Sequence, residues 1–226
     1  MLRQESWSFS ESARVWNAAH MKNIAIIGSG NIGGNLARLF TSKHNVTLGS
    51  RNPEQSRLKL PGLTITDYTQ AAKSANIVIL AVPFSEVTAI AAKLGSLAGK
   101  ILIDVTNPLT ADFMALTIGH TTSAGEAIQA AFPQAHVVKA FNTVLAQVLA
   151  KAVSGAKSLP SVLVAGNHAA ANAEVVQLAK DAGFSAFDTG AITNARYLEP
   201  LAALGIQLAY AKGHGGEVGF AFAAVN

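Results

Sequence analysis

Six residues early in the chain, Gly28-Ser29-Gly30-Asn31-Ile32-Gly33, have the spacing G-x-G-x-x-G. That spacing suits a dinucleotide pyrophosphate. The first glycine permits a tight turn, the second lets the backbone approach the phosphates, and the third lets a following helix pack close to its strand. The pattern alone is weak, but its setting here is the one it needs. The apolar run Ile24-Ala25-Ile26-Ile27 precedes it, and Asn31–Ser42 follows with Ile32, Leu36, Leu39 and Phe40 on one helical face. The N-terminus of such a helix offers free N–H groups and a positive dipole end to an anion. No Gly-Lys-Ser/Thr completes a Walker P-loop.

The residues at the tip of the next strand discriminate between nicotinamide cofactors. An NAD site places Asp or Glu there, about 20 residues beyond the glycines, for the ribose hydroxyls. Here Val46-Thr47-Leu48 runs into Gly49-Ser50-Arg51-Asn52-Pro53, and Glu54 falls where a following helix would begin. A serine hydroxyl and a planar guanidinium suit a 2′-phosphate, which points to NADP(H). The charge distribution agrees. Lys22 to Lys59 holds six bases (Lys22, Arg38, Lys43, Arg51, Arg57, Lys59) against one acid (Glu54), a local +5 in a chain of net +4. Nucleic acid is a poor alternative, because the bases are not interleaved with aromatics and no helix-turn-helix or zinc pattern occurs.

Three further strand ends should share one edge: Ala81-Val82-Pro83, Asp104 to Pro108, and Lys139-Ala140-Phe141-Asn142-Thr143. In open α/β sheets that edge is the ligand crevice. Asn107, Asn142 and Thr143 are therefore candidates to position the nicotinamide end. An acid or base is harder to find. Tyr68, Tyr197 and Tyr210 lack a lysine four residues on, the six histidines show no partner pattern, and His214-Gly-Gly-Glu217 is too loose for a metal site. There is no Gly-x-Ser-x-Gly elbow and no cysteine, so a thiol nucleophile, a cysteine-held metal and a disulfide are excluded. No metal is expected. Hydride transfer between two stacked redox rings needs position and exclusion of water more than proton chemistry. It fits such a bare site, with a small-molecule redox substrate as second partner.

The elements that must position these residues alternate. Strands are expected at Lys22–Ile27, Val46–Leu48, Leu63–Ile65, Ile77–Val82, Ile101–Val105, His136–Ala140, Val162–Ala165 and Phe184–Phe187. Helices lie between them, one opened by a capping box at Ser123 and Glu126. Pro200 should kink or restart the last helix, Asn194–Ala211. The fold class is α/β, a Rossmann-type doubly wound sheet of about eight strands, with residues 21–226 as one domain. Residues 1–20 have neither an apolar signal core nor a periodic apolar face, and read as a flexible arm. No apolar run nears the ~18 residues of a membrane span, and a cytoplasmic location is the default. The apolar end Phe220–Val225 needs cover, from a second copy in a homodimer or from the edge of the same core.

On these residues the chain resembles the NADPH-dependent oxidoreductases of the deazaflavin coenzyme F-420. The likeness runs through Met21–Arg51, Ile79–Pro83, Asp104–Leu109, Val137–Thr143 and Ala191–Leu204, the last containing Ala-Arg-Tyr-Leu-Glu-Pro-Leu. Lys139-Ala-Phe-Asn-Thr143 also resembles the cytosolic domain of the membrane metalloreductases, which use flavin. The resemblance implies a mostly parallel sheet whose last strands are partly antiparallel. It also implies cofactor contacts at Gly28–Gly33, Ser50, Arg51 and Val82-Pro83. The implied acceptor is deazaflavin, or else FMN or FAD with ferric reduction. Archaeal deazaflavin enzymes carry histidine where Asn142 stands. Two rival readings are an imine reductase, which would need a large helical dimerisation domain, and a non-catalytic NADP-binding redox sensor.

Overall fold

The computed structural model describes residues 21–225; the expected N-terminal arm lies outside the described residues. Its strands are β1 (Asn23–Ile27), β2 (Asn45–Gly49), β3 (Thr64–Thr66), β4 (Ile77–Leu80), β5 (Ile101–Asp104), β6 (His136–Lys139), β7 (Ser161–Gly166) and β8 (Ser185–Asp188). They form one sheet in the order β3-β2-β1-β4-β5-β6-β7-β8. Every neighbouring pair is parallel except β6 and β7, which run antiparallel. The order reverses beside β1, so a crevice opens at the carboxyl ends of β1 and β4.

The continuous apolar strands are explained by helices on both faces. One face packs Ile24, Ile26, Ile79, Ile103 and Val138 against α1 (Asn31–Thr41), α6 (Ala146–Val153) and α7 (Ala169–Asp181). The other packs Ala25, Ile27, Val78, Leu80, Leu102 and Val137 against α3 (Tyr68–Lys73), α4 (Val87–Leu94) and α5 (Ala124–Ala131). Alternate strand residues divide between the faces, as the pleat requires.

A short helix α2 (Pro53–Lys59) follows β2, where the sequence places a helix start beside Glu54, with Pro53 in its first turn and the Asn52 side chain accepting from the Gln55 N–H at 3.2 Å. Three details differ from the sequence expectation. The fourth strand stops at Leu80 rather than Val82, leaving Ala81-Val82-Pro83 to leave the sheet and form the crevice wall; the Ala81 N–H still donates to the Ile27 carbonyl at 2.8 Å. The helix expected from Val144 begins at Ala146, after Val144 N–H closes a turn onto the Phe141 carbonyl at 3.0 Å. Of the kink or restart expected at Pro200, the restart does not occur: α8 (Ala195–Ile206) runs through it into a π turn at Gln207–Ala211, and its ring costs one N–H of the ladder.

The same chain supplies cover for part of the apolar C-terminus. Ser161 N–H donates to the Phe220 carbonyl, the Phe222 N–H donates to Ser161 Oγ, both at 2.9 Å, and the Phe222 ring meets Phe187 edge-on at 5.1 Å. Phe222 is still 68% exposed.

Candidate functional site

The glycine turn is built by backbone crowding. Gly28 has φ +119°, and a Cβ there would lie 2.2 Å from the Ala81 carbonyl oxygen. A Cβ on Gly33 would lie 1.9 Å from the Gly28 carbonyl oxygen. Strand, turn, helix and the tip of β4 thus meet at van der Waals limits that only glycine satisfies. Gly30 is the opposite case: a Cβ there would meet nothing within 4 Å. It caps α1 with no side-chain partner, and the first helical bond runs from Gly34 N–H to its carbonyl at 2.8 Å. The first N–H groups of α1 therefore face open space at the positive helix end, and the cradle fits a pyrophosphate.

One side of this turn opens into a cavity of about 310 Å³ that brings Gly28, Ser29, Gly30, Ser50, Arg51 and Ala81-Val82-Pro83 together. Three hydroxyls form its floor. Ser29 Oγ lies 3.1 Å from Ser50 Oγ, Ser50 Oγ 2.7 Å from Ser56 Oγ, and Ser56 Oγ 2.9 Å from Ser29 Oγ. Ser50 is buried and also accepts the Asn52 N–H at 3.1 Å, so its hydroxyl is largely spent on shaping the floor. Arg51 stands above it with a 69% exposed side chain, its only ion-pair contact in the described residues a 3.4 Å approach to Glu86. Lys59 of α2 lines the same cavity. Burial pushes the nearby Tyr68 phenol upward, partly countered by Arg51. Ser56 and Glu86 are not among the residues the sequence singles out, and Lys59 is there only as one base of the Lys22–Lys59 stretch. The signal was the helix after Asn52-Pro53, whose one-turn spacing returns Ser56 to Ser50.

On the other side lies a cavity of about 670 Å³, sharing Gly30, Ala81, Val82 and Pro83 with the first and lined also by Asn31, Ile32, Asn107 and Asn142. Phe113, Met114 and Tyr210 lie at its mouth, each more than a third exposed. The two asparagines are locked to each other. Asn107 Nδ2 donates to the Asn142 carbonyl at 2.8 Å, and Asn142 Nδ2 donates to Asn107 Oδ1 and the Leu198 carbonyl, both at 3.0 Å. The two carbonyl acceptors fix both amide orientations. Phe141, before Asn142, has φ +59°, a left-handed conformation costing a non-glycine residue ~1–2 kcal/mol. Its ring is held edge-on between Phe40 and Phe184, both at 6.0 Å. Thr143 is not brought to this cavity. It lines a smaller apolar one of about 250 Å³ beside Gly205 and Phe220.

The ends of β5 and β6 hold a feature that is not among the candidate residues of the sequence. Lys139 Nζ lies 2.7 Å from Asp104 Oδ2 and 2.8 Å from Glu199 Oε1, with all three side chains at most 1% exposed. Lys139 also donates to the Thr106 carbonyl at 2.8 Å. Charged residues are almost never fully buried unless paired, so the available signal was a charge closing each of two apolar strands, Ile101–Asp104 and His136–Lys139. Among the described residues no group of three or more His, Cys, Asp or Glu could hold a metal, and no helix is long and apolar enough to cross a membrane.

Comparison with known proteins gives consistent results. Residues 23–108 match the family model for NADP oxidoreductase, coenzyme F420-dependent. The crystal structure of a protein provisionally assigned as an F420-dependent NADP reductase, from Arthrobacter sp. FB24, is 34% identical, with a TM-score of 0.81 over 90% of this chain and 100% of that one. Metalloreductase STEAP3 of Rattus norvegicus is 32% identical over 180 residues, 79% of this chain but 36% of the relative, so the chain spans about a third of the curated relatives it matches. An imine reductase from Pseudomonas sp., at 20% identity and a TM-score of 0.61 over 85% of this chain and 64% of that one, shares the fold alone.

Proposed function

The chain belongs to the family of coenzyme F420-dependent NADP oxidoreductases, and we propose that it binds NADP(H) and passes a hydride between the nicotinamide and a planar redox ring. The observation that carries this reading is the shared wall of the two cavities. A hydroxyl- and cation-lined cavity and a larger, mostly apolar one meet at Gly30 and Ala81-Val82-Pro83, as an extended dinucleotide requires. In this reading the turn Gly28–Gly33 and the start of α1 hold the pyrophosphate. Arg51 and Lys59 meet the 2′-phosphate over the Ser29–Ser50–Ser56 floor. Ala81, Val82 and Pro83 form the wall along which the ribose runs.

When bound, reduced NADP supplies a hydride, two electrons and a proton, to an acceptor ring that takes any second proton from solvent. The chain's part is to hold the two rings in contact and exclude water. Ile32, Val105, Phe141 and Val144 supply apolar walls, and the locked pair Asn107–Asn142 gives one rigid polar edge. No acid or base is assigned. The acceptor proposed first is deazaflavin. The 32% identity to a metalloreductase supports a second reading in which a flavin relays the electrons to ferric iron. We place the activity in the cytoplasm and in residues 21–226 acting as one domain.

Anaerobic mixing tests the acceptor. Purified protein with NADPH is combined in turn with coenzyme F420, FMN and FAD, the flavins with and without a ferric chelate, and both chromophores are followed. Stoichiometric loss of reduced nicotinamide with bleaching of the deazaflavin is expected. Reduction only with a flavin and ferric iron would support the second reading, and no reduction of any acceptor would contradict both.

A further inference from the structure

The buried cluster of Asp104, Lys139 and Glu199 holds two carboxylates against one ammonium, a surplus of one negative charge in the dry interior. The groups around it do not remove that surplus. The Ala124 and Gly125 N–H groups at the start of α5 donate to Glu199 at 2.9 and 3.0 Å and offset it only in part. Thr106 N–H donates to Asp104 at 2.8 Å. The next ion pair on the same two helices, Glu126 with Arg196, is neutral. Glu199 also satisfies two N–H groups at the start of α5 and so ties α8 to α5 as well as to Lys139, but that tie does not itself require a net negative charge.

Its position offers an explanation. Asp104 and Lys139 are register partners at the ends of β5 and β6. The residues that follow them, Val105, Thr106, Phe141 and Asn142, line the larger cavity. Lys139 holds the Thr106 carbonyl, and Glu199 follows Leu198, whose carbonyl holds Asn142. The cluster is one hydrogen bond from Thr106, a lining residue of the cavity where the proposed function seats the nicotinamide, and this inference rests on that reading. An oxidised nicotinamide ring is cationic and a reduced one is not. We propose that the Asp104–Lys139–Glu199 cluster tunes the bound nicotinamide, favouring NADP⁺ over NADPH and so making bound NADPH a stronger hydride donor. These residues touch no reacting atom and act through the field they set.

The test compares affinities rather than turnover. Asp104→Asn and Glu199→Gln each remove the surplus charge through a different group. Dissociation constants for NADP⁺, NADPH and 2′,5′-ADP are measured by titration for wild type and both variants, with circular dichroism as the check on folding. Because a unit charge in the interior shifts an equilibrium by roughly 10-fold or more, the ratio Kd(NADP⁺)/Kd(NADPH) should rise about 10-fold in both variants. Affinity for 2′,5′-ADP, which has no nicotinamide, should be unchanged. An unchanged ratio, or equal weakening of both nucleotides, would overturn the inference alone. Failure of wild type to bind either nucleotide would overturn the cofactor reading and this inference with it. Should neither variant fold, the wild-type ratio decides: tighter binding of NADP⁺ is expected, and tighter binding of NADPH overturns the proposal.

Discussion

The three glycines of the turn do different work, and substitution should separate them. Gly28 and Gly33 are fixed by backbone atoms 2.2 and 1.9 Å from where a Cβ would sit, whereas Gly30 has open space. Gly30→Val should fold with an unchanged Tm and lose NADPH binding, because its side chain would occupy the pyrophosphate's place. Gly33→Ala should instead lower the Tm, since helix and turn must part. Thermal melting with nucleotide titration checks both, and a folded Gly30→Val with full NADPH affinity would contradict the turn's assignment. The sequence made these roles legible because the motif constrains the backbone locally. With the Ser50 hydroxyl engaged by Ser29, Ser56 and the Asn52 N–H, the proposed recognition of the 2′-phosphate rests mainly on Arg51. Charge-assisted bonds are worth ~1.5–3 kcal/mol, so Arg51→Ala should weaken NADPH by roughly 10- to 100-fold and leave NADH nearly unmoved in parallel titrations.

Among the elements, α5 and α8 show what sequence patterns carry and what they omit. The capping box was legible: Ser123 Oγ accepts the Glu126 N–H at 3.1 Å. The Glu126 carboxylate, however, does not reach back to the backbone. It accepts from Ser123 Oγ at 2.8 Å and takes a bidentate clamp from Arg196 of α8 at 2.9 and 2.6 Å. That partner is 70 residues away, beyond any local pattern. The Arg196 hydrogen bonds hold the Glu126 carboxyl below its ordinary 4.5. A carboxyl depressed in the folded state stabilises above its unfolded value, and the contribution is lost as pH falls through the folded one. Glu126→Gln should therefore lower the Tm at pH 7, and the difference from wild type should shrink as the pH falls below about 4.5. A difference independent of pH would contradict the ion pair. The turn after β6 is equally non-local. Phe141 keeps its left-handed backbone because Phe40 and Phe184 grip its ring. Phe141→Ala should cost about 3–5 kcal/mol in denaturant unfolding and distort the wall that carries Asn142.

For the whole molecule, alternation of apolar strands and helices was enough to indicate a Rossmann-type sheet, because each strand must be covered on both faces. The antiparallel step between β6 and β7 was implied only by family resemblance, since strand direction leaves no mark on a fully apolar strand such as Val162–Ala165. The Asp104–Lys139–Glu199 cluster was hidden for a similar reason: it closes contacts between segments 35 and 60 residues apart in sequence. Charge, by contrast, was legible at long range. The stretch Lys22–Lys59 carries +5 of a net +4, so the remainder of the chain is −1 overall. The fold gathers Arg51 and Lys59 from that stretch at one end of the crevice. A phosphate drawn to exposed cations is screened by salt. The most direct measurement is therefore titration of the wild-type protein with NADPH and with NADH at low and at physiological salt. NADPH should bind at least 10-fold more tightly than NADH, with the preference narrowing as salt rises. Equal affinity for the two nucleotides, or a preference for NADH, would contradict it.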